Sequence, residues 1–481
     1  MKVRSILLMQ PNYGLLGKRR WEQMPYGLAI LNACLADRYD TELFDPNFHN
    51  TSEEGIRAHL RASAPTIVGI TTYSTEYLTE IRLHTAIVKD VLPNCIVVVG
   101  GIFPTALPET AIEDPNTDFC ILGEGEYRFP SLLDVLERGN GDFESVNGIA
   151  FRRGGRPIVI PPHSFIDPLD QVPLPRYGNL DVTEYGNFHF QYAHGLIPRQ
   201  FPFATLLTSR GCPFHCIFCA ARTVSGAKVR LRSAHNVLDE IEDLTVRHGI
   251  KEVIFQDDHF LHSKRRAIQI AQGIKARWPG MTWKCGNLAV FSLTEELLEI
   301  MMACGSYQLT LSLENGNQDV LDNIIRKPVN LKKARAMVTA AKALGYEIVS
   351  NFVIGFPGET WEQIRQTFAF AESLELDLVN FHIATPLPNT RLMEICLQEG
   401  YLKPEDEALA GYTKGVISTS EFSSTDLQIL RAYEWDRINF RTREKIAKIA
   451  SMEGITEEEV SQWRASTRRN LGTTLKWNER V

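Results

Sequence analysis

Long apolar stretches are absent from this sequence of 481 residues. No run reaches the roughly 18 uncharged apolar residues that a membrane-spanning helix needs, and the short apolar run near the start ends too soon for a secretory signal. Positive charge is not in excess either, since the net charge is −7 and the pI is near 6.0. Such a balance gives no general footprint of nucleic-acid binding. The sequence therefore predicts a cytoplasmic globular protein with no membrane partner, and it does not favour a nucleic-acid partner.

Cysteine is scarce as well. The chain has nine cysteines, an odd number, and six of them stand singly. A disulfide framework needs paired and regularly spaced cysteines, so this usage fits a reducing cytosol. Internal repeats of about 20–50 residues are also absent, which excludes a solenoid. With an ordinary apolar content of 44%, a chain of this length is expected to fold as two or three domains.

Residues 1–140 alternate strand patterns with helical patterns, which predicts an α/β fold with a Rossmann-like, doubly wound parallel sheet. Sheets of this kind bind ligands beyond the carboxyl ends of their strands. Glycine and small polar residues crowd the segments at those ends, so the backbone can approach a bulky planar ligand closely. The expected strands are Ser5–Gln10, Thr41–Asp45, Thr66–Thr72, Ile96–Gly100 and Asp118–Leu122.

Three further segments follow along the chain. Residues 141–200 are rich in proline and contain Arg-Gly-Gly-Arg-Pro, which indicates a connector that crosses the surface. Residues 201–390 return to strand–helix alternation with six units, so they predict a partial (β/α)6 barrel rather than a closed eightfold one. Residues 391–481 predict a helical region, with Asp426–Arg443 as the clearest helix. The six barrel strands are expected at Phe203–Thr208, Glu252–Gln256, Thr282–Gly286, Gln308–Leu313, Ile348–Ile354 and Val379–Ala384.

The three remaining cysteines lie together after the first barrel strand, at the end where barrel active sites are found: Cys212, Cys216 and Cys219. Their soft sulfur atoms suit iron, and three thiolates at this spacing can hold one face of a 4Fe–4S cluster. Such a cluster needs four ligands, so the motif leaves the fourth iron open. A structural zinc site completed by His215 is the alternative, but structural zinc usually takes two separated ligand pairs and no second cysteine pair exists here.

The spacing Cys-x3-Cys-x2-Cys strongly resembles the signature of the radical S-adenosylmethionine (SAM) superfamily. The resemblance implies that the methionine amine and carboxylate of SAM chelate the open iron. It implies that an electron from the reduced cluster then cleaves a carbon–sulfur bond and gives a 5′-deoxyadenosyl radical. An electron donor such as flavodoxin or ferredoxin is expected. Phe218 occupies the aromatic position of that superfamily, where backbone groups contact the adenine.

Later strand ends carry further matches, for which the resemblance implies contacts to SAM. Gln256, Asp257 and Asp258 end the second strand, where relatives hold the methionine ammonium. Capping of the next helix is the alternative for the two aspartates. Ser312 and Glu314 alternate onto one face of the fourth strand, near the expected ribose and methionine carboxylate.

The fifth and sixth strands also end in patterns typical of this branch. The segment from Gly355 to Thr360 matches the run Gly-x-Pro-Gly-Glu-Thr, and its first glycine lets the backbone come near the adenine. Starting the next helix is the alternative role for Glu359 and Thr360. Asn389 stands where glycine is usual after the sixth strand, and the turn is expected to survive because asparagine tolerates a left-handed backbone.

A doubly wound domain ahead of a proline-rich connector and this barrel resembles the cobalamin-binding class of radical SAM enzymes. Relatives hold cobalamin between the loops of the sheet and the mouth of the barrel. The loop Pro11–Gln23 contains no histidine, so the cobalt is expected without a protein histidine below it. A domain that has lost cobalamin and serves in packing or substrate binding is the alternative. The residues expected at the cobalamin are Pro25, Gly27, Thr71, Ser74, Gly100, Gly101, Gly123 and Glu124.

The resemblance implies an enzyme, and first of all a cobalamin-dependent radical methyltransferase that acts on an unactivated carbon of a small metabolite. A cyclase, a ring-contracting enzyme or an oxidation enzyme with the same cofactors is the first alternative. A methylthiolating tRNA-modifying enzyme is more distant, because such relatives need three further cysteines in the first domain and Cys34, Cys95 and Cys120 are spread over strands and a helix. A cluster-bearing scaffold without catalysis is the last alternative.

Overall fold

The computed structural model describes residues 3–188, 197–402 and 415–469. The chain forms two compact units. The first unit takes in residues up to Phe188 together with Ala221–Arg232, and the second takes in the remainder. Within the described residues, no helix has both the length and the apolar character needed to cross a membrane.

The first unit is built on a seven-stranded sheet with the order β2-β1-β3-β4-β5-β6-β7. The first five strands run parallel, and β6 and β7 add an antiparallel hairpin at one edge. The strands are β1 Ser5–Met9, β2 Asp40–Phe44, β3 Ile67–Thr72, β4 Ile96–Gly101, β5 Phe119–Ile121, β6 Ile149–Arg153 and β7 Arg156–Ile160. The helices are α1 Tyr26–Leu35, α2 Glu53–Ser63, α3 Leu78–Val91, α4 Ile102–Ala106, α5 Pro108–Glu113, α6 Gly125–Arg138, α7 Val182–Gly186 and α8 Ala221–Ser225.

The sheet of the first unit is covered on both faces. Leu7 and Met9 belong to one hydrophobic core, while Ile6 and Leu8 belong to another. Alternate residues of a strand point to opposite faces, so β1 is apolar throughout because each face meets helices. The prediction of a doubly wound sheet with five parallel strands is confirmed.

The segment expected to be a connector differs in part from that expectation. Residues 149–160 form the β6–β7 hairpin and extend the first sheet. Gly154 and Gly155 both have positive φ, at 58° and 79°, which is the backbone of a tight two-residue hairpin turn. The Arg-Gly-Gly-Arg-Pro stretch is therefore a turn between two strands, and the first compact unit runs on to Phe188 instead of ending near residue 140. Residues 189–196 of the expected connector lie outside the described residues.

The second unit is built on a six-stranded parallel sheet in which spatial neighbours follow chain order. Its strands are β8 Phe203–Leu206, β9 Glu252–Phe255, β10 Thr282–Leu288, β11 Ser306–Glu314, β12 Glu347–Ile354 and β13 Leu378–Ile383. The edge strands β8 and β13 are not hydrogen-bonded to each other, so the expected partial barrel is confirmed. The helices that follow the strands are α9 Ala234–His248, α10 Lys264–Arg277, α11 Glu295–Ala303, α12 Leu331–Ala343 and α13 Trp361–Ser373.

The C-terminal helices are α14 Arg391–Gln398, α15 Ser424–Asn439, α16 Arg443–Glu453 and α17 Glu457–Arg469. The expected helix Asp426–Arg443 is in fact two, because α15 ends at Asn439 and Thr442 caps the start of α16. Helix α15 lies against β13, and the Asn439 amide both accepts from the Val379 N–H and donates to the Val379 carbonyl, each at 2.8 Å. An edge strand exposes unpaired backbone groups, and this asparagine satisfies two of them. Residues 403–414 and 470–481 of the expected helical region lie outside the described residues.

We expect Asn439→Ala to lower the free energy of unfolding by about 2 kcal/mol, because two buried backbone groups of Val379 lose their partners. The check is the urea midpoint of the variant. Asn323→Ala is the control, since Asn323 is exposed and bonds only to the Asp319 side chain. A midpoint for Asn439→Ala equal to that of the control would contradict this role.

Candidate active site

The segment that carries the three neighbouring cysteines begins at Thr208 and is fixed there by Asp257, which follows β9. The Asp257 carboxylate accepts from the Thr208 N–H at 3.1 Å, from the Thr208 hydroxyl at 2.8 Å and from the Ser209 hydroxyl. Arg266 donates to the Thr208 carbonyl at 2.7 Å. Burial raises the pKa of Asp257, while the Ser209 hydrogen bond and the Arg266 charge act in the opposite direction. Asp257 therefore holds the start of the cysteine segment.

The middle of the cysteine segment is held from two other sides. The Ile217 N–H donates to the Ile325 carbonyl at 3.1 Å, and the Leu392 N–H donates to the Ile217 carbonyl at 2.8 Å. Ile217 itself is buried. A hydrogen bond from the Cys219 N–H to the Cys216 carbonyl, at 3.2 Å, closes a turn between two of the thiols. The loop is thus shaped by backbone contacts to elements far away in the chain.

The thiols differ in exposure: Cys212 and Cys216 are half-buried and Cys219 is exposed. Burial raises the pKa of the Cys216 thiol to about 12; the Lys327 charge lowers it, and the other two thiols add to the rise. In the described part of the chain, no three His, Cys, Asp or Glu side chains converge on one point that could hold a single metal ion. The ligands of a 4Fe–4S cube bind separate irons and so stand further apart, and three thiols are the donors that iron–sulfur clusters use.

Glu314 and Lys327 form an ion pair next to the cysteine segment. Both side chains are nearly buried, with exposed fractions of 9% and 12%. Desolvation disfavours the Lys327 charge, but the charge of Glu314 and the Cys216 thiol raise its pKa overall. Glu314 has a φ of 65°, in the left-handed region, so the strand ends there and its carboxylate turns towards the lysine. Sequence reasoning missed Lys327, which lies 13 residues further on and carries no motif.

The two adjacent aspartates have different surroundings. Asp257 is taken up by the cysteine segment, whereas Asp258 is exposed and has no hydrogen bond or ion pair with any described residue. Desolvation and the neighbouring Asp257 charge raise the pKa of Asp258. Neither aspartate caps the next helix, because Ser263 caps α10. Gln256 is half-buried, and its backbone N–H donates to the Leu206 carbonyl at 2.9 Å.

The glycine turn after β12 is shaped by Glu359. Its carboxylate accepts from the Gly355 N–H at 2.7 Å and from the Phe356 N–H at 3.1 Å, and it also accepts from the Asn315 amide at 2.9 Å. Burial raises the pKa of Glu359 to about 7. Glu359 therefore does more than start a helix, while Thr360 caps α13 as expected.

Gly355 is required by its backbone and by its neighbours. Its φ is 85°, and a Cβ there would lie 2.5 Å from the Leu427 side chain of α15. The ring of the next residue, Phe356, lies 5.7 Å from the Phe218 ring, which places the glycine turn beside the cysteine segment. Ser312 is nearly buried on β11, and its hydroxyl donates to the Asn287 side chain. Asn389 has a φ of 59°, so the expected left-handed turn is confirmed.

In the first unit, the carboxyl ends of β3, β4 and β5 are joined by hydrogen bonds. The Thr72 hydroxyl donates to the Gly100 carbonyl at 2.9 Å, and Thr71 is the register partner of Gly100. The Gly123 N–H donates to the Thr105 hydroxyl at 2.7 Å. A Cβ on Gly101 would lie 2.4 Å from the Thr72 carbonyl oxygen, so only glycine fits there.

Three other expected cobalamin contacts lie in the same unit. Pro25 comes directly before α1, and a Cβ on Gly27 would meet no heavy atom within 4 Å. The Ser74 hydroxyl accepts from the Glu76 N–H at 3.3 Å and caps a short turn after β3. Gly27 thus has the open surface that a planar ligand needs, whereas Ser74 already serves the backbone.

Glu124 is fully engaged by protein groups. One carboxylate oxygen accepts from Arg230 and the other from the Ile166 N–H, each at 2.6 Å, and the exposed fractions of the Glu124 and Arg230 side chains are 7% and 2%. This buried ion pair joins the segment Ala221–Arg232, which follows the cysteines in the chain, to the rest of the first unit. Both carboxylate oxygens of Glu124 therefore already bind protein groups, which disfavours the expected contact of this side chain with cobalamin.

Two histidines of the first unit, His84 and His49, have different surroundings. His84 is buried, its Nε2 accepts from the Asn12 N–H at 3.0 Å, and its Nδ1–H donates to the Glu80 carbonyl at 2.7 Å. Burial lowers the pKa of His84 to about 4, so it is neutral near pH 7. His49 is half-exposed and lies 3.6 Å from Glu184. A cobalt without a protein histidine below it stays a prediction from the sequence.

Two family models match the chain. The model described as the radical SAM superfamily matches residues 206–371, and the model described as the B12 binding domain matches residues 14–133. The uncharacterized methyltransferase PH0819 of Pyrococcus horikoshii is 31% identical over 451 residues, which are 93% of this chain and 94% of that protein. The chain belongs to the cobalamin-binding family of radical SAM enzymes. The expected 4Fe–4S cluster, SAM and cobalamin are confirmed as the cofactors of this family.

Two further relatives have more specific names. The cytidylyl-2-hydroxyethylphosphonate methyltransferase of Streptomyces wedmorensis is 27% identical over 82% of this chain and 80% of its own length. The anaerobic magnesium-protoporphyrin IX monomethyl ester cyclase of Rubrivivax gelatinosus is 28% identical over 81% of this chain and 69% of its own length.

Two solved structures have the same fold as the chain. The radical enzyme OxsB with aqua-cobalamin and SAM bound has a TM-score of 0.74 at 17% identity, covering 98% of this chain and 71% of that one. The methyltransferase TsrM from Kitasatospora setae, with tryptophan and a SAM analogue bound, has a TM-score of 0.70 at 20% identity, covering 83% of this chain and 77% of that one. At these identities the likeness extends to the fold alone.

The neighbouring aspartates give a matched pair of variants. We expect Asp257→Asn to lose most of its iron after anaerobic reconstitution, because an amide cannot accept all the hydrogen bonds that fix the cysteine segment. We expect Asp258→Asn to keep its iron and to bind SAM about 10- to 100-fold more weakly, as for one lost charge-assisted contact. Iron content and equilibrium binding of SAM are the measurements, and equal iron in both variants would contradict the difference in roles.

Proposed function

We propose that this protein is a cobalamin-dependent radical SAM methyltransferase that acts on an unactivated carbon of a small metabolite. One observation carries the proposal: the alignment with a protein named as a methyltransferase runs through 93% of the chain, and so through both matched domains. The phosphonate methyltransferase also aligns across most of the chain. Two similar proteins that align across most of the chain thus carry methyl transfer in their names, which is support by analogy.

In this proposal Cys212, Cys216 and Cys219 bind three irons of the cluster and leave the fourth iron to SAM. When bound, the cluster supplies the electron that cleaves SAM, and cobalamin supplies the carrier for the methyl group. The protein contributes the fixed loop geometry, because Asp257, Ile325 and Leu392 hold the segment that bears the thiols. These hydrogen bonds join residues of the chain to one another and do not involve a cofactor.

The SAM contacts proposed from the sequence fall into two groups. Asp258 has a carboxylate without a protein partner in the described residues, so it is the better candidate for the methionine ammonium than Asp257. Phe218 and the Gly355 turn lie side by side, which supports contact with the adenine. Glu314 already pairs with Lys327, so its contribution is to set the charge near the thiols.

The first unit is proposed to bind cobalamin through the backbone of the glycine-rich strand ends. Gly101 and Gly123 lie at neighbouring strand ends that are fixed by hydrogen bonds, and a Cβ on either would meet a neighbouring residue. Gly27 supports close approach of a flat ring, since a Cβ there would meet no heavy atom within 4 Å. The enzyme is proposed to work in the cytoplasm with an electron donor such as flavodoxin or ferredoxin.

A second candidate is a radical cyclase that keeps both cofactors but transfers no methyl group. The observation in its favour is the cyclase of Rubrivivax gelatinosus, which aligns over 81% of this chain. Both candidates share the cluster, SAM and cobalamin, and only the fate of the substrate separates them.

The ratio of two nucleoside products separates these candidates. Methyl transfer to an unactivated carbon consumes two SAM molecules for each product, one as methyl donor and one as radical source. We therefore expect S-adenosylhomocysteine and 5′-deoxyadenosine in a ratio near one when substrate is present, measured by chromatography of quenched reactions. Deoxyadenosine formed without stoichiometric S-adenosylhomocysteine would overturn methyl transfer and favour the cyclase.

A further inference from the structure

Helix α15 directs three side chains towards the open edge of the second sheet. Leu427, Arg431 and Asn439 are spaced by four and eight residues, so they share a helix face. Leu427 contacts the Gly355 turn, and Asn439 bonds to Val379 near the start of β13. Arg431 lies between them, and its Nη1 donates to the Phe381 carbonyl at 3.3 Å.

Among the described residues, Arg431 has no acidic partner of the kind that other arginines of these helices have. Arg437 donates to both carboxylate oxygens of Glu372 at 2.9 and 2.8 Å, and Arg464 donates to both oxygens of Asp436 at 2.6 and 2.9 Å. In the described residues, Arg431 makes the single bond to Phe381, and its buried Nε has no partner. Burial lowers the pKa of Arg431 to about 10, and no acidic group of the described ranges opposes that effect.

An unpaired guanidinium in such surroundings destabilises the empty protein. Charged groups withdrawn from water are normally paired, and each imperfectly paired one carries a desolvation cost. Arg431 is nevertheless half-buried rather than fully buried, so the residue as a whole keeps some contact with solvent. Within the described part of the chain, Arg431 is thus a cation without a paired charge.

Uncharged hydrogen-bonding groups lie beside this cation. Phe352 and Phe381 lie 5.7 Å apart, and Phe381 also packs on Phe368 of α13, so these rings face the helices. Asn351 and Asn380 directly precede the two rings on their strands and therefore face the inside of the partial barrel. The two asparagines are register partners and bond to each other at 3.1 Å.

Ser312 continues the row, since it is the register partner of Asn351. Its hydroxyl donates to Asn287, so the row crosses four neighbouring strands. The inner face of the barrel thus carries a line of amide and hydroxyl groups that reaches β13, the strand on which Arg431 bonds. A polar substrate could use such a line for orientation.

We propose that Arg431 binds an oxyanion of the substrate, a carboxylate or a phosphate-type group, at the β13 edge of the barrel. The planar guanidinium with its fork of N–H groups matches both kinds of oxyanion, and among the described residues only its Nη1 has a hydrogen-bond partner. The substrate class is then a small anionic metabolite. The assignment of the anion to the substrate rests on the proposed function. The presence of an anion site at Arg431 does not depend on that function.

The test titrates the full chain without its cofactors with sodium phosphate or sodium acetate, and with sodium chloride at equal ionic strength as the reference. We expect phosphate or acetate to raise the Tm of the wild type above the chloride value, because each anion binds only the folded protein. We expect Arg431→Met to lose this rise, with anion binding weakened about 10- to 100-fold. The anion that gives the larger rise in Tm identifies whether the site prefers a phosphate-type group or a carboxylate.

Two further variants separate an anion site from a structural contact. Arg431→Lys keeps the charge and should retain part of the rise, and Arg391→Met, which removes an exposed arginine of α14, should retain all of it. In chloride, Arg431→Met should be at least as stable as the wild type, because an unpaired charge is removed.

The proposal is overturned if neither anion raises the wild-type Tm above chloride, or if Arg431→Met shows an equal rise. A lower Tm of Arg431→Met in chloride would also overturn it in favour of a structural bond to Phe381. Because no cofactor is present, any of these results leaves methyl transfer standing, and a cyclase-type product ratio leaves the anion site standing.

Discussion

The buried carboxylate of Asp257 is the contact on which the candidate site depends. It gathers the backbone and hydroxyl of Thr208 and the hydroxyl of Ser209, and Arg266 binds the Thr208 carbonyl from the other side. A loop that must present three thiols in one geometry cannot rely on its own short sequence. The contacts from Asp257 after β9 and from Arg266 on α10 fix the loop. The neighbouring carboxylate of Asp258 has no hydrogen-bond partner among the described residues, so it is available to a ligand.

Other loops of the two units are also fixed by single buried polar side chains. Glu359 fixes the glycine turn, Glu124 fixes the segment after the cysteines, and His84 fixes the loop after β1. These are buried polar groups whose hydrogen bonds shape loops, and they are distinct from groups left open to ligands. Arg431 is the contrasting case, since it is withdrawn from water without a compensating charge in the described residues.

Elements with strong local patterns could be predicted from the sequence, and contacts between distant residues could not. The eleven parallel strands follow from apolar runs between helical patterns, and the cysteine spacing points to the cofactor. The β6–β7 hairpin was missed because its Gly154–Gly155 turn looks like a loop. The partner of Asp257 lies 49 residues away and that of Asn439 lies 60 residues away, so only the topology brings them together. Lys327 and Arg431 carry no motif, and burial alone gives them their significance.

The central claim is that three cysteines of this chain hold a cluster with one open iron, and the iron content of a triple variant tests it most directly. We expect the wild type to hold about four irons and four sulfides after anaerobic reconstitution. The variant with Cys212, Cys216 and Cys219 changed to alanine should hold none and should not cleave SAM. A matched variant with Cys34, Cys95 and Cys120 changed to alanine should keep the cluster, since these cysteines belong to the first unit and the loop belongs to the second. Iron retained by the first variant, or lost only by the second, would contradict the account.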